Sequence, residues 1–439
     1  MRIASWLLFL IIIVARTVRA EEQSDEWPCW RGLSGQGVAL ATKLPDPWPE
    51  TCPPPRWEAK IGIGWSSPVV AAGRLVVSDR QGDRERVLAF DAENGRELWV
   101  REHPIDFETH AVGRRHGNGP KATAVLDAER VYCLGIAGWL ECLDARDGHT
   151  IWQVSLPAEF GTHQPLPGDR AVVEADEDVL VPIGHGQGAT VPLFGYTGSP
   201  RLEGDRLICS VGGERGATII AFDKRTGKPV WQALHEHVSY SSPVVAEIDG
   251  MRQIVVMTGP HVVGLDPADG RLLWSHPFQL IYDESISTPV IANDVVVVGG
   301  TGKPLTALRI ERSGNEWSCR LAWENFDLTS YLSSMVVRDR LVYGMSDGGE
   351  FCCVDLRDGS TVWSGGSHGY YSTPVLAGER ILALNERGWL LVLTAQRSGY
   401  RELGRSRLAE VATWTSPAVV GSRLYLRGDG LVRCFDFSQ

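Results

Sequence analysis

The sequence predicts an all-β fold, an eight-bladed β-propeller of four-stranded antiparallel blades whose ring is closed by an N-terminal strand. The first observation is a repeat of a small residue, any residue, Asp, three residues, Gly, three residues and Trp. It recurs as Ala89-Asp91-Gly95-Trp99, Cys142-Asp144-Gly148-Trp152, Ala221-Asp223-Gly227-Trp231, Gly264-Asp266-Gly270-Trp274 and Cys353-Asp355-Gly359-Trp363. The second is an opener upstream of each unit, Ser66-Ser67-Pro68, Ser241-Ser242-Pro243, Ser287-Thr288-Pro289, Ser372-Thr373-Pro374 and Thr415-Ser416-Pro417, followed by a Val-rich run and a Gly turn. Opener strand, second strand, Asp-ending strand and Trp-bearing strand make four strands per unit, and units of roughly 40–50 residues are propeller blades. The third observation is that the last unit, Cys434-Phe435-Asp436, has no fourth strand, while Arg56-Trp57-Glu58-Ala59-Lys60 is an unmatched strand ahead of the first opener.

Taken in order, residues 1–20 read as a secretory signal peptide: Arg2, then an apolar run from Trp6 to Ala15, then Val18-Arg19-Ala20 before Glu21-Glu22. Arg16 and Arg19 interrupt the run too early for a spanning helix, which needs roughly 20 apolar residues. Residues 21–54 form an N-terminal extension, where Cys29 and Cys52 are the expected bridged pair among nine cysteines. The propeller occupies 55–437, as blades at 65–99, 117–152, 195–231, 240–274, 286–323, 332–363, 372–408, and 414–437 completed by 55–61. Blade five is stretched between Ala307 and Trp323, and blade seven, Leu391 to Leu408, has lost both Asp and Trp. An insertion at 153–195 carries an acidic stretch (174–178) and a Gly-rich one (184–188).

The repeat has a physical rationale. The Asp side chain caps the hairpin turn and Gly takes its positive φ. The Trp then lies over this same turn and fills the wedge between neighbouring blades, while the small residue two before Asp faces a crowded core. Cys142, Cys353 and Cys434 stand in that slot as small core residues.

Without Arg2, Arg16 and Arg19 the chain keeps 40 basic against 54 acidic residues. An acidic surface of this kind argues against a nucleic-acid partner, and no segment beyond residue 20 is apolar enough to span a membrane as a helix.

The full signature, Ala221-x-Asp223-x-x-Thr226-Gly227-x-x-x-Trp231, resembles the repeats of the pyrroloquinoline-quinone (PQQ) type, and the resemblance covers residues 55–437. One branch of that superfamily, the quinoprotein alcohol dehydrogenases, implies PQQ and calcium at the propeller centre. The other resembles the periplasmic, BamB-like propeller of the outer-membrane assembly machine, and implies a non-enzymatic protein that binds other proteins. The short length and lack of large catalytic insertions favour the second, although residues 1–28 hold no cysteine for a lipid anchor. Cys352-Cys353 matches the vicinal pair of the dehydrogenases in sequence only. It falls inside a strand, where successive side chains face opposite ways.

Candidate binding residues come from the blade geometry. The first strand of each blade is innermost, so the residue ahead of each opener lies near the central opening, and in four blades it is Trp65, Tyr240, Tyr371 and Trp414, with Lys121 at the nearest equivalent of blade two. The loop before Lys121 adds Arg114 and His116. Aromatic side chains around a basic loop suit stacking on a sugar, a quinone or a partner's side chain. His235-x-His237 offers only two metal ligands, and the Asp-x-x-Asp-Gly turns have the wrong spacing for calcium, so neither is assigned a metal. The expectation is a non-catalytic, periplasmic or secreted scaffold that binds a protein or polymer at its channel mouth, without a cofactor. A PQQ- and calcium-dependent dehydrogenase and a carbohydrate-binding propeller are the alternatives.

Overall fold

The computed structural model describes residues 25–50, 52–109, 116–162, 194–213, 216–236, 238–280, 285–410 and 413–438. The expected leader at 1–20, Arg114, His237 and the stretches 174–178 and 184–188 of the insertion lie outside the described residues. The strands form eight sheets, seven of four strands and one of five. Blade one runs from its inner strand Val69–Ala71 to its outer strand Glu97–Pro104. Blades two to four begin at Val125–Leu126, Arg201–Glu203 and Val244–Ile248, and blades five to seven at Val290–Ala292, Val336–Arg338 and Val375–Ala377. Blade eight has three consecutive strands, Ala418–Val420, Arg423–Gly428 and Leu431–Asp436. Its outer strand is Trp57–Lys60, antiparallel with Trp57 opposite Cys434. The N-terminal strand therefore closes the ring, which removes a sheet edge.

The repeat makes sense only when neighbouring blades are taken together. The small residue sits directly across the hairpin from the Trp: Ala89 from Trp99, Cys142 from Trp152, Ala221 from Trp231 and Cys353 from Trp363. Opposed residues share one face of the sheet, so a bulky residue in the slot would displace the indole. That indole covers the turn of the following blade, not the turn of its own. Trp99 Nε1 donates to Ala145 O at 3.1 Å, and a Cβ on Gly148 would lie 2.5 Å from the Trp99 ring. Trp152 reaches Lys224 O, Trp231 reaches Pro267 O, Trp323 reaches Leu356 O and Trp57 reaches Ala92 O in the same way. Asp91, Asp144, Asp223, Asp266 and Asp355 each accept through Oδ1 from the backbone N–H two residues on, which builds the turn that the indole covers. Trp274 is the exception: blade five lacks the Asp-Gly turn, and Trp274 Nε1 turns back to Gln253 Oε1 at 2.7 Å.

The openers have a reason as well. Ser67 N–H donates to Thr123 Oγ1, Thr123 N–H to Ser199 Oγ, and Ser199 N–H to Ser242 Oγ, at 2.9–3.0 Å. The same link joins Thr288 to Ser334, Ser334 to Thr373 and Ser416 back to Ser67. Inner strands buried around an axis cannot reach water, so each blade supplies the next with a hydroxyl acceptor for an otherwise orphaned amide.

Two cysteine readings are settled by position. Cys29 and Cys52 are free thiols in different places: Cys29 packs in the seam of blades two and three, Cys52 against that of blades seven, eight and one. The expected bridge is thus not formed. Cys142, Cys353 and Cys434 are fully buried in the small-residue slot, their thiols pushed up to about 12 by burial.

Residues 27–44, where the sequence showed only Pro and Trp richness, cross the far end of the channel. Trp27 pairs with Val70, Pro28 O accepts from Leu126 N, and Leu33 O accepts from Arg201. Trp30 Nε1 donates to Thr288 Oγ1 at 2.9 Å, and Gln36 Oε1 accepts from Ile291 N. Arg31, wholly buried, donates to Met335 O. Val38–Ala39 then adds a parallel strand to blade seven, and Lys43 N–H donates to Gly421 O of blade eight.

Candidate binding site at the channel mouth

Around the axis the inner strands leave a cavity of about 160 Å³. Trp65, His116, Lys121, Tyr240, Tyr371 and Trp414 all line it, as the blade geometry predicts. The cavity also takes in residues that the sequence reading missed: Trp30, Phe194 and Tyr331, with Ile286 and Leu332. Phe194 and Tyr331 do not directly precede an opener and Trp30 comes from the N-terminal segment, so the repeat carried no signal for these three, whereas Ile286 directly precedes the opener Ser287-Thr288-Pro289 and lies where the rule places it. The repeat residues Asp, Gly and Trp serve the seams between blades.

The aromatic side chains form a collar in edge-on and tilted contact. Tyr240 meets Phe194 at 5.2 Å, Phe194 meets His116 at 5.7 Å, His116 meets Trp414 at 5.1 Å, and Trp414 meets Tyr371 at 4.9 Å. Hydrogen bonds fix the orientation: Trp65 Nε1 donates to His116 O at 2.6 Å, and Tyr371 Oη donates to Trp414 O at 2.7 Å. Burial pushes the Tyr371 phenol up to about 12, so it stays a neutral donor. These contacts hold rings of low conformational entropy in place before any ligand arrives.

The polar side chains of the wall are a lysine, a histidine and a set of hydroxyls. Among the described residues Lys121 Nζ has two long contacts, to Gly117 O at 3.3 Å and Phe194 O at 3.4 Å, and burial lowers its pKa to about 8. Ser199, Ser242, Ser334 and Thr373 line the wall with the hydroxyls that accept the inter-blade amides. No Asp or Glu is among the described lining residues. The wall is aromatic in its area and donor-rich in its polar atoms.

That composition bears on the cofactor question raised by the superfamily. Calcium needs several oxygen ligands, usually including carboxylates, and the described lining offers none. Cys352 and Cys353 are free thiols buried on opposite faces, one in the seam of blades five and six, the other in that of six and seven. The described residues therefore do not fit a calcium-bound quinone. Elsewhere, Asp144, Asp147 and His149 bring ligand atoms within 4.8 Å of one another. They are occupied by their own turn, with Arg146 on Asp144 at 2.7 Å and His149 on Asp147 at 2.7 Å. Described helices include none long and apolar enough to cross a membrane.

A family model described as outer membrane protein assembly factor BamB matches residues 83–365. The outer membrane protein assembly factor BamB of Shewanella oneidensis is 23% identical over 365 residues, covering 77% of this chain and 88% of that protein. Among solved structures, BamB from Moraxella catarrhalis superposes with a TM-score of 0.58 at 16% identity, over 87% of this chain and 98% of that one. The quinohemoprotein alcohol dehydrogenase of Comamonas testosteroni gives 0.63 at 13% identity, over 94% of this chain and 81% of that one. At such identities the two structures speak for the fold alone.

Proposed function

The chain belongs to the outer membrane protein assembly factor BamB family, and from that premise we propose a non-catalytic, exported propeller, periplasmic or secreted, that holds a protein or polymer partner at its channel mouth. The observation that carries this reading is the collar. Trp65, Tyr240, Tyr331, Tyr371 and Trp414 converge on one cavity with Lys121, and buried aromatic anchors with a cation are the usual centre of a binding surface. Assembly factors, as the relatives' names have it, work on other proteins, and the collar is a surface on which to do so. The leader at 1–20 supports export, and residues 55–437 act as one propeller domain. A dehydrogenase reading is disfavoured by a wall whose described residues include no carboxylate to hold calcium or to take a proton from an alcohol.

The test is recovery of the partner from cross-linked envelope extracts with the full-length tagged protein. The double variant Trp65→Ala/Trp414→Ala should lose most of the recovered partner, as loss of two anchors costs at least about 2 kcal/mol each. Val230→Ser, on the exposed outer strand of blade three, should leave recovery unchanged. Equal recovery from the mouth variant and the wild type would move the binding surface off the mouth.

A further inference from the structure

The mouth cavity has more chemical character than a generic partner surface, and three observations define it. It is blind: Trp30, anchored on Thr288 Oγ1, lines it from the N-terminal segment that crosses the far end of the channel. A blind cavity admits the end of something rather than a loop passing through. It is small, at about 160 Å³, and a cavity of roughly 150 Å³ is the size that takes a single benzene ring. It is electron-poor in its polar groups. Lys121 brings an ammonium that no carboxylate among the described residues reaches as an ion pair, the charge felt there being that of Glu85 in the adjoining seam. The oxygens of Ser199, Ser242 and Ser334 accept backbone amides, so each hydroxyl keeps its hydrogen to donate.

We propose that this cavity binds an aromatic carboxylate, one ring seated within the aromatic collar and its carboxylate on the Lys121 ammonium, with the wall hydroxyls as further donors. A neutral aromatic ligand would leave the buried ammonium without a counter-charge, and an aliphatic acid would leave the collar rings without a stacking partner. One Lys or Arg among the described lining residues and one ring's volume match a single carboxylate better than a multiply charged anion. The proposal rests on the reading of the mouth as a binding site and names its ligand. The same chemistry occurs in a free aryl acid and in a chain whose last residue is aromatic.

The experiment is a titration of the purified full chain, read by intrinsic Trp fluorescence, since Trp30, Trp65 and Trp414 line the cavity. The probes are phenylacetate, its neutral isostere phenylacetamide, and acetate. Phenylacetate should saturate and bind about tenfold more tightly than the amide, the difference expected of one charged hydrogen bond, and acetate should bind far more weakly. Lys121→Met should bring acid and amide together, and Lys121→Arg should restore the preference. Circular dichroism of each variant separates lost binding from lost folding. Equal binding of acid and amide by the wild type, or an acid preference surviving in Lys121→Met, would overturn the proposal while leaving the mouth a binding site. No binding of any probe, with partner recovery still lost in Trp65→Ala/Trp414→Ala, would overturn the ligand class and not the scaffold reading. The peptide Gly-Ser-Gly-Phe with a free or an amidated end then identifies the source. A free-ended peptide binding more tightly than phenylacetate supports a chain terminus, and one no tighter supports a free acid.

Discussion

Gly148 has a φ of +74°, and the Trp99 ring of the preceding blade lies where its Cβ would be. Two costs are combined there: backbone strain, roughly 1–2 kcal/mol for a side chain in the left-handed region, and displacement of a docked indole. Gly204 has a φ of +58° with nothing within 4 Å, and so carries only the first. Gly204→Ala should therefore lower stability by roughly 1–2 kcal/mol, and Gly148→Ala by clearly more, as measured by chemical denaturation. If the two variants are equal, the indole is not part of what holds the seam. A second residue-scale feature is the charge cluster between blades one and two. His103 lies 3.4 Å from Glu141 and 3.5 Å from Glu85, both carboxylates almost wholly buried. Burial alone would lower the imidazole pKa, but the two carboxylates outweigh it and raise it to about 9. A raised folded-state pKa stabilises fully below the unfolded value near 6.5 and loses that stabilisation as pH rises through about 9. The melting temperature should fall across this window, corresponding to on the order of 2 kcal/mol. His103→Gln should be less stable at pH 6.5 and show a flatter profile. A wild-type profile that is flat or rises over the same window would refute the assignment.

At the scale of elements, the N-terminal part of the chain contributes two separable pieces. Trp57–Lys60 is the outer strand of blade eight, whereas residues 27–44 lie across the far end of the ring. Removing residues 25–48 should leave the strand content of the circular dichroism spectrum intact and lower the melting temperature. Extending the deletion through Lys60 exposes the third strand of blade eight as an edge, and size-exclusion chromatography should then show aggregate in place of the folded species. Two deletions of equal effect would mean that the ring does not depend on this closure. The blades themselves were legible in the sequence because their determinants are local: Asp, Gly and Trp recur at fixed spacing and each does one job in a hairpin. What was not legible depends on contacts far apart along the chain. The Trp99-to-Gly148 contact joins neighbouring blades, and a spacing shared by all blades does not say which turn an indole covers. The path of residues 27–44 was hidden for the same reason, since Trp30 and Thr288 are 258 positions apart. The supposed Cys29–Cys52 bridge failed because closeness in sequence is a poor guide in a segment that crosses blade after blade.

At the scale of the whole molecule, the periodic inner strands turn a sequence repeat into a convergent site. Trp65, Tyr240, Tyr371 and Trp414 precede their openers and so arrive at one mouth, which is why the sequence identified them. Phe194 and Tyr331 lie off that register and became visible only in three dimensions. The ring closed by Trp57–Lys60 holds the collar rigid, the hydroxyl links between inner strands bind blade to blade, and the N-terminal crossing makes the channel blind. The result is a preformed pocket suited to binding, with no described carboxylate in its wall to hold a metal or act as a base. The measurement that tests this central claim most directly is reconstitution of the purified protein with PQQ and calcium, read by quinone absorbance and by dye-linked alcohol oxidation. The account predicts no stoichiometric quinone uptake and no turnover; uptake of one quinone per chain with alcohol oxidation would contradict it.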